Sequence, residues 1–249
     1  MSDSTAKIVG KARRVATRPG KRGAPPKLTR VLAALRQLYG RPRPPAVTDP
    51  FELILYENVA YLADDARREK AFEALKTRIG LLPARILAAP SAALREIASQ
   101  GIVADQTVDK LRSIAAIAVE DFGGDLSAVT RLPFAQAKKA LKKFPSIGDP
   151  GAEKVLLFAR AAPVLALDSN GLRVLLRLGF GTEDKNYAKS YRSAQEAVAT
   201  QLERDCDWLI ELHQLLRRHG QELCKRSQPR CEVCPLRADC AYATSRSPS

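Results

Sequence analysis

Residues 144–170 read FPSIGDPGAEKVLLFARAAPVLALDSN, and this stretch decides the fold. Apolar residues recur at helical spacing over 134–143 and again over 150–161, so Pro145-Ser146-Ile147-Gly148 reads as a tight turn between two helices. Such a hairpin puts small residues and backbone N–H groups at a helix start, where the positive end of the helix favours a phosphate. Ser146, Ile147, Gly148 and Gly151 are therefore candidate phosphate-contacting positions, although many helix-to-helix turns hold Pro and Gly without binding anything. Twenty residues beyond Gly148, Asp168 stands just before another apolar period over 169–178. A carboxylate there reads as a helix N-cap, a position Asp favours, or as a reactive group.

The C-terminal part carries a second signal. Cys224, Cys231, Cys234 and Cys240 form a C-x6-C-x2-C-x5-C pattern within 17 residues, and only Cys206 of the five cysteines lies elsewhere. The C-x2-C turn offers two adjacent ligands, and the longer loops can bring two more to the same centre. A structural zinc site usually uses two short Cys pairs, and neither His213 nor His219 is spaced to stand in for one. A [4Fe–4S] cluster, a zinc ion and four reduced thiols are the readings, in that order. Cys206 falls in a helical stretch and reads as a core thiol. Lys225, Arg226 and Arg230 ride on the six-residue loop, either as a phosphate-docking set or as an ordinary solvated face.

The 249 residues carry 41 Lys+Arg against 27 Asp+Glu, a formal charge of +14. Residues 1–30 hold nine Lys/Arg and only Asp3 as an acid, a net of +8, so +6 remains for residues 31–249. A polyanion is the natural partner, with nucleic acid first. No run reaches the roughly 18 apolar residues that a membrane span needs, and the N-terminus has no apolar core of the kind a secretory signal carries. The expectation is a cytoplasmic protein without a membrane partner, nucleoid-associated if bacterial. Residues 1–26 read as a basic disordered tail. Helical periods follow over 28–39, from Pro50 onward, and over 66–78, 83–88, 92–100, 106–121, 134–143, 150–161, 169–178, 186–202 and 205–219. Alternating strand patterns are almost absent, so the fold class is all-α.

Taken together, the Pro-Ser-Ile-Gly hairpin, Leu167-Asp168-Ser169-Asn170 and the four cysteines resemble the helix-hairpin-helix base-excision DNA glycosylases of the endonuclease III and adenine DNA glycosylase group. The resemblance covers roughly residues 28–245. It implies a six-helix barrel at 48–162, with the helix-hairpin-helix at about 134–161, and a [4Fe–4S] cluster domain built from 27–47 and 163–245. It also implies a monomer that binds double-stranded DNA, flips out a damaged or mispaired base and uses Cys224, Cys231, Cys234 and Cys240 as cluster ligands.

The resemblance carries over residue by residue with some departures. Asp168 matches the catalytic aspartate, which stabilises the oxocarbenium-like sugar and helps to position water. Bifunctional members have a nucleophilic Lys two residues after the second hairpin Gly, a position held here by Pro150, which points to hydrolysis without strand cleavage. Glu57 matches the catalytic acid of the adenine glycosylases when Pro50–Glu57 is aligned with their helix, and is otherwise a helix-surface carboxylate. Asn170 completes the Leu-Asp-x-Asn match. Tyr61 is a candidate for stacking on a base, or a cleft-wall tyrosine, and Lys154 is a displaced lysine or a solvated one. The segment after Glu57 lacks a Gln-rich intercalating motif, Ser146 replaces the first hairpin Gly, and Asp149 adds an anion where phosphate should approach. The expected function is a DNA glycosylase. The alternatives are an inactive lesion- or structure-binding protein of the same fold, and a bifunctional glycosylase/AP lyase using a displaced lysine. Adenine opposite 8-oxoguanine is not expected as substrate, because no further domain follows Cys240 in the sequence.

Overall fold

Capping side chains and breaker residues set the helix ends close to where the apolar periods place them. The computed structural model describes residues 27–60 and 62–245 and contains no strand among them. The basic tail at 1–26 and Tyr61 lie outside the described residues. The helices are α1 (Leu28–Tyr39), α2 (Pro50–Asn58), α3 (Asp65–Arg78), α4 (Pro83–Ala88), α5 (Ser91–Ala98) and α6 (Ala104–Phe122), then α7 (Phe134–Leu141), α8 (Asp149–Phe158), α9 (Ser169–Leu178), α10 (Tyr187–Val198), α11 (Cys206–Glu222) and α12 (Ala241–Thr244).

Local chemistry explains the starts and stops. Asp49 accepts from the N–H groups of Phe51 (2.9 Å) and Glu52 (3.0 Å) ahead of Pro50, which loses nothing at a helix start by lacking an N–H. Asp64 caps α3 through Arg67 N–H (2.9 Å), and Asp205 caps α11 through Trp208 N–H (2.6 Å). Gly123 and Gly179 end α6 and α9 in the left-handed conformation. The period expected over 186–202 resolves into α10 and a 3-10 turn at Ala199–Gln201.

One apolar core runs through the molecule, with Ile54, Leu55, Leu75, Leu111, Ile114, Leu175, Leu212 and Leu216 fully enclosed. Burying such a Leu or Ile contributes roughly 1.5–3 kcal/mol. In the first half, the long α6 is packed by α2, α4 and α5. In the second half, α9 lies along α11, with α10 and α12 against α9. Helix α8 touches α2, α7 and α11, so the hairpin helix spans both groups. The first helix closes onto the last elements: Arg36 pairs with Glu211, Leu28 N–H donates to Gln201 Oε1 (2.8 Å), and the Tyr39 hydroxyl meets His219 Nδ1 at 3.1 Å. Helix α1 thus packs beside α11 near the end of the chain.

Candidate active site and cysteine pocket

Asp168 is an N-cap and more. Its Oδ1 accepts from Gly171 N–H at 2.7 Å, which fixes the carboxylate at the start of α9. Its Oδ2 receives Asn170 Nδ2 at 3.1 Å and Arg217 Nε at 3.2 Å. Arg217, from α11, also grips both carboxylate oxygens of Asp65 in the first turn of α3, with Nη1 at 2.7 Å from Oδ2. The Asp168 and Arg217 side chains are about a quarter exposed (25% and 26%), so this corner is reachable from solvent. The guanidinium stays firmly charged: burial opposes it, but Asp65 and Asp168 outweigh that cost. Arg68 and Arg217 together hold the Asp65 carboxyl below its usual range against the upward push of burial.

Glu57 lies at the end of α2 with Lys154 Nζ of α8 at 2.6 Å from its Oε1. Burial pushes its carboxyl upward, yet Lys154, Arg68 and Arg217 carry it below the usual carboxylate range. In this arrangement Glu57 is ionised, and Lys154 Nζ is committed to it while also lying over the Phe158 ring at 5.5 Å. Behind this pair, His213 Nδ1–H donates to Ala166 O at 2.8 Å and the ring packs edge-on against Phe158. Full enclosure lowers the imidazole to about 4, with Lys154 adding to the effect, so His213 is a neutral core group.

The hairpin joins α7 to α8. Ser146 takes a left-handed backbone at φ 62°, the conformation that makes glycine the usual occupant of such a position. Ile147 is buried and its N–H donates to Phe144 O at 3.2 Å. Its side chain fills the space beside Gly151. Asp149, the unexpected anion, is offset by Lys142 at 2.9 Å and Lys138 at 3.6 Å, and Lys142 is the main reason its carboxyl is lowered. Pro150 occupies the first turn of α8. Buried Glu153 one turn on receives Lys138 Nζ (2.6 Å), the Tyr191 hydroxyl (2.6 Å) and Gln195 Nε2 (2.7 Å). Tyr191 oxygen in turn accepts from Leu167 N–H at 3.3 Å, which ties the hairpin helix to the residue before Asp168.

Cys224, Cys231, Cys234 and Cys240 are all free thiols and line a single pocket closed by Val174, Arg177 and Leu236. Among the described residues no three His, Cys, Asp or Glu side chains are placed to hold one metal ion. Arg177 organises the loop that follows Cys224: Nη1 donates to Lys225 O (2.7 Å) and lies 3.4 Å from Cys224 Sγ, Nη2 donates to Arg226 O (3.1 Å), and the guanidinium stacks on Tyr242 at 4.4 Å. Lys225, Arg226 and Arg230 are exposed on that clamped loop. A hydrogen-bonded chain leads from it to the site: Arg173 Nε donates to Cys224 O (2.9 Å) and Nη2 to Asn170 Oδ1 (2.8 Å) beside Asp168. Cys206, expected in the core, is the half-buried first residue of α11.

No family model matches the chain. It is 25% identical to endonuclease III of Bacillus subtilis over 200 residues, 80% of this chain and 84% of that enzyme. With endonuclease III of Rickettsia conorii it is 33% identical over 106 residues, a match that spans 46% of that protein. Among solved structures, a thermostable thymine-DNA glycosylase aligns with TM-score 0.70 at 19% identity, over 88% of this chain and 97% of the other. A trapped endonuclease III–DNA covalent intermediate aligns with TM-score 0.69 at 21% identity, over 88% and 98%. The chain therefore has the fold of the helix-hairpin-helix base-excision DNA glycosylases and is similar in sequence to endonuclease III enzymes.

Within this superfamily fold, the structure brings Asp168, Asn170, Glu57 and Lys154 into one neighbourhood, through the shared partner Arg217 and the enclosed His213. It keeps Lys225, Arg226 and Arg230 on a separate loop, which Arg177 holds by the Lys225 and Arg226 carbonyls and which Arg173 links to Asn170 through the Cys224 carbonyl. Arg217, Arg173, Arg177 and Glu153 were not anticipated from sequence. Arg217 had one legible cue, since it follows His213 by four residues and precedes Gly220 by three, on the buried side of α11.

Proposed function

We propose that the protein is a monofunctional DNA glycosylase, which extrudes a damaged or mispaired base from duplex DNA and hydrolyses its N-glycosidic bond to leave an abasic site. The observation that carries this reading is Asp168, a carboxylate fixed at the start of α9 with Oδ2 turned to a solvent-reachable corner. A carboxylate held in that way stabilises positive charge that develops on the sugar as the bond breaks, without reorganising during the reaction. Asn170 fixes its rotation.

Proline at position 150 supplies no amine, and Lys154 Nζ is committed to Glu57, which speaks against strand cleavage through a Schiff base. The same ion pair assigns Glu57 an electrostatic part and not that of proton donor in the free protein. The four cysteines line one pocket, and their C-x6-C-x2-C-x5-C spacing fits a [4Fe–4S] cluster better than the paired spacing of a zinc site. Cys224, Cys231, Cys234 and Cys240 would hold such a cluster, which would crosslink the C-terminal loop. Lys225, Arg226 and Arg230 would then meet backbone phosphates with little loss of freedom.

Incubation of the holoprotein with a panel of lesion and mismatch duplexes, followed by alkali, tests the reading. Abasic sites formed by wild type and not by Asp168→Asn support it. Release of no base from any duplex, with DNA binding intact, would replace it by a lesion-binding protein.

A further inference from the structure

We propose that Arg217 binds a phosphate of the extruded nucleotide and in doing so gives up its contact with Asp168. This rests on the reading of Asp168 as the catalytic carboxylate. The Arg217 guanidinium has five N–H donors. Two hold the Asp65 carboxylate and a third, on Nε, reaches Asp168 Oδ2 at 3.2 Å. No acceptor among the described residues takes the other two, and the side chain is partly open to solvent. Arg217 is also the one cation hydrogen-bonded to Asp168 among the described residues.

These facts conflict with catalysis unless the contact is transient. A guanidinium beside Asp168 cancels the negative charge that the sugar cation needs to meet. The nucleotide itself supplies the alternative partner, because its phosphates are held covalently a few bonds from C1′, the atom Asp168 must face. The planar fork of arginine matches phosphate oxygens well, and a backbone phosphate offers a full negative charge in place of that of Asp168. Asp65 acts as the anchor: it keeps the guanidinium at the site mouth while Nε changes partner. Arg217 thereby couples seating of the nucleotide to exposure of the charge on Asp168, and a duplex that has not extruded a nucleotide leaves Asp168 neutralised.

The test is fluorescence anisotropy with two duplexes, one undamaged and one carrying a tetrahydrofuran abasic analogue that cannot be cleaved, each titrated over a salt series. For Arg217→Gln the expected result is a roughly tenfold loss of affinity for the analogue duplex and a salt slope lower by about one phosphate contact, with binding of undamaged duplex little changed. Arg217→Lys should recover part of the affinity, as it keeps the charge and loses the fork. The double variant Asp65→Asn with Arg217→Gln removes the pair without stranding a buried charge, and should bind as Arg217→Gln does. Unchanged affinity and slope in all three variants, with excision lost as in Asp168→Asn, would overturn the proposal and make Arg217 a support for Asp168 alone. Because the analogue duplex is not cleaved, this result stands apart from the outcome of the excision assay.

Discussion

Gly220 of α11 lies so close to Asn170 of α9 that a Cβ at position 220 would sit 2.7 Å from the Asn170 carbonyl oxygen. No real side chain tolerates that contact with backbone, so the two helices meet here only because residue 220 is glycine. Gly220→Ala must therefore part α9 from α11 next to Asp168. The expected cost is about 2 kcal/mol, a Tm fall of roughly 4–8 °C in a chain of this size. Excision should fall as well, because Asn170 moves with its backbone. Calorimetry showing an unchanged Tm would contradict this packing.

Ser146 is expected to respond in the opposite sense. A non-glycine residue at φ 62° costs about 1 kcal/mol that glycine avoids, partly offset by the greater freedom of glycine in the unfolded chain. Ser146→Gly should therefore raise stability by about 0.5 kcal/mol in urea unfolding, with no change in the hairpin fold. A loss of stability would show that the Ser146 side chain contributes something beyond its backbone geometry.

The enclosed His213 gives a pH dependence with a definite sign. Its folded-state value of about 4 lies below the unfolded 6.5, so the unfolded chain binds the extra proton first as pH falls. Its contribution is fully present above pH 6.5 and is lost between 6.5 and about 4, by about 3 kcal/mol in total. Tm measured against pH should slope steeply in that window for wild type and less steeply for His213→Leu. Equal slopes would mean that other groups drive acid unfolding.

Position 150 offers a gain-of-function check. Wild type should give no covalent adduct when borohydride is added to a reaction with lesion DNA. Pro150→Lys places an amine in the first turn of α8, where proline is not required for the helix to start, and should yield a trappable adduct and some strand cleavage. An adduct from wild type that Lys154→Ala abolishes would instead establish the displaced lysine as a nucleophile.

Much of the fold was legible because its signals are local. Asp49-Pro50 announces α2, Gly179 ends α9, and the Pro145–Gly148 turn sits between two apolar periods, all within a few residues of the structure they specify. The N-cap of α9 by Asp168 was legible for the same local reason, and the close spacing of the four cysteines matches the pocket that they share. What sequence did not show is the partner list. Arg217 is 49 residues from Asp168 and 152 from Asp65, and Lys154 is 97 from Glu57. No local pattern encodes such pairs, because they arise from how α2, α3, α8, α9 and α11 are packed. The consequence for chemistry is large: Glu57, read in the sequence as a match to a catalytic acid or as a helix-surface carboxylate, is ion-paired with Lys154 in the fold.

The proposed function turns on Asp168 as the carboxylate that supports hydrolysis of the N-glycosidic bond. Single-turnover release of base from the best lesion duplex, compared between wild type and Asp168→Asn at matched DNA affinity, tests it most directly. The amide keeps the shape and can still cap α9 through its oxygen, so folding and binding should be retained. Base release from Asp168→Asn should be slower by at least about a hundredfold, the scale of losing a preorganised electrostatic group. Release at the wild-type rate would contradict it.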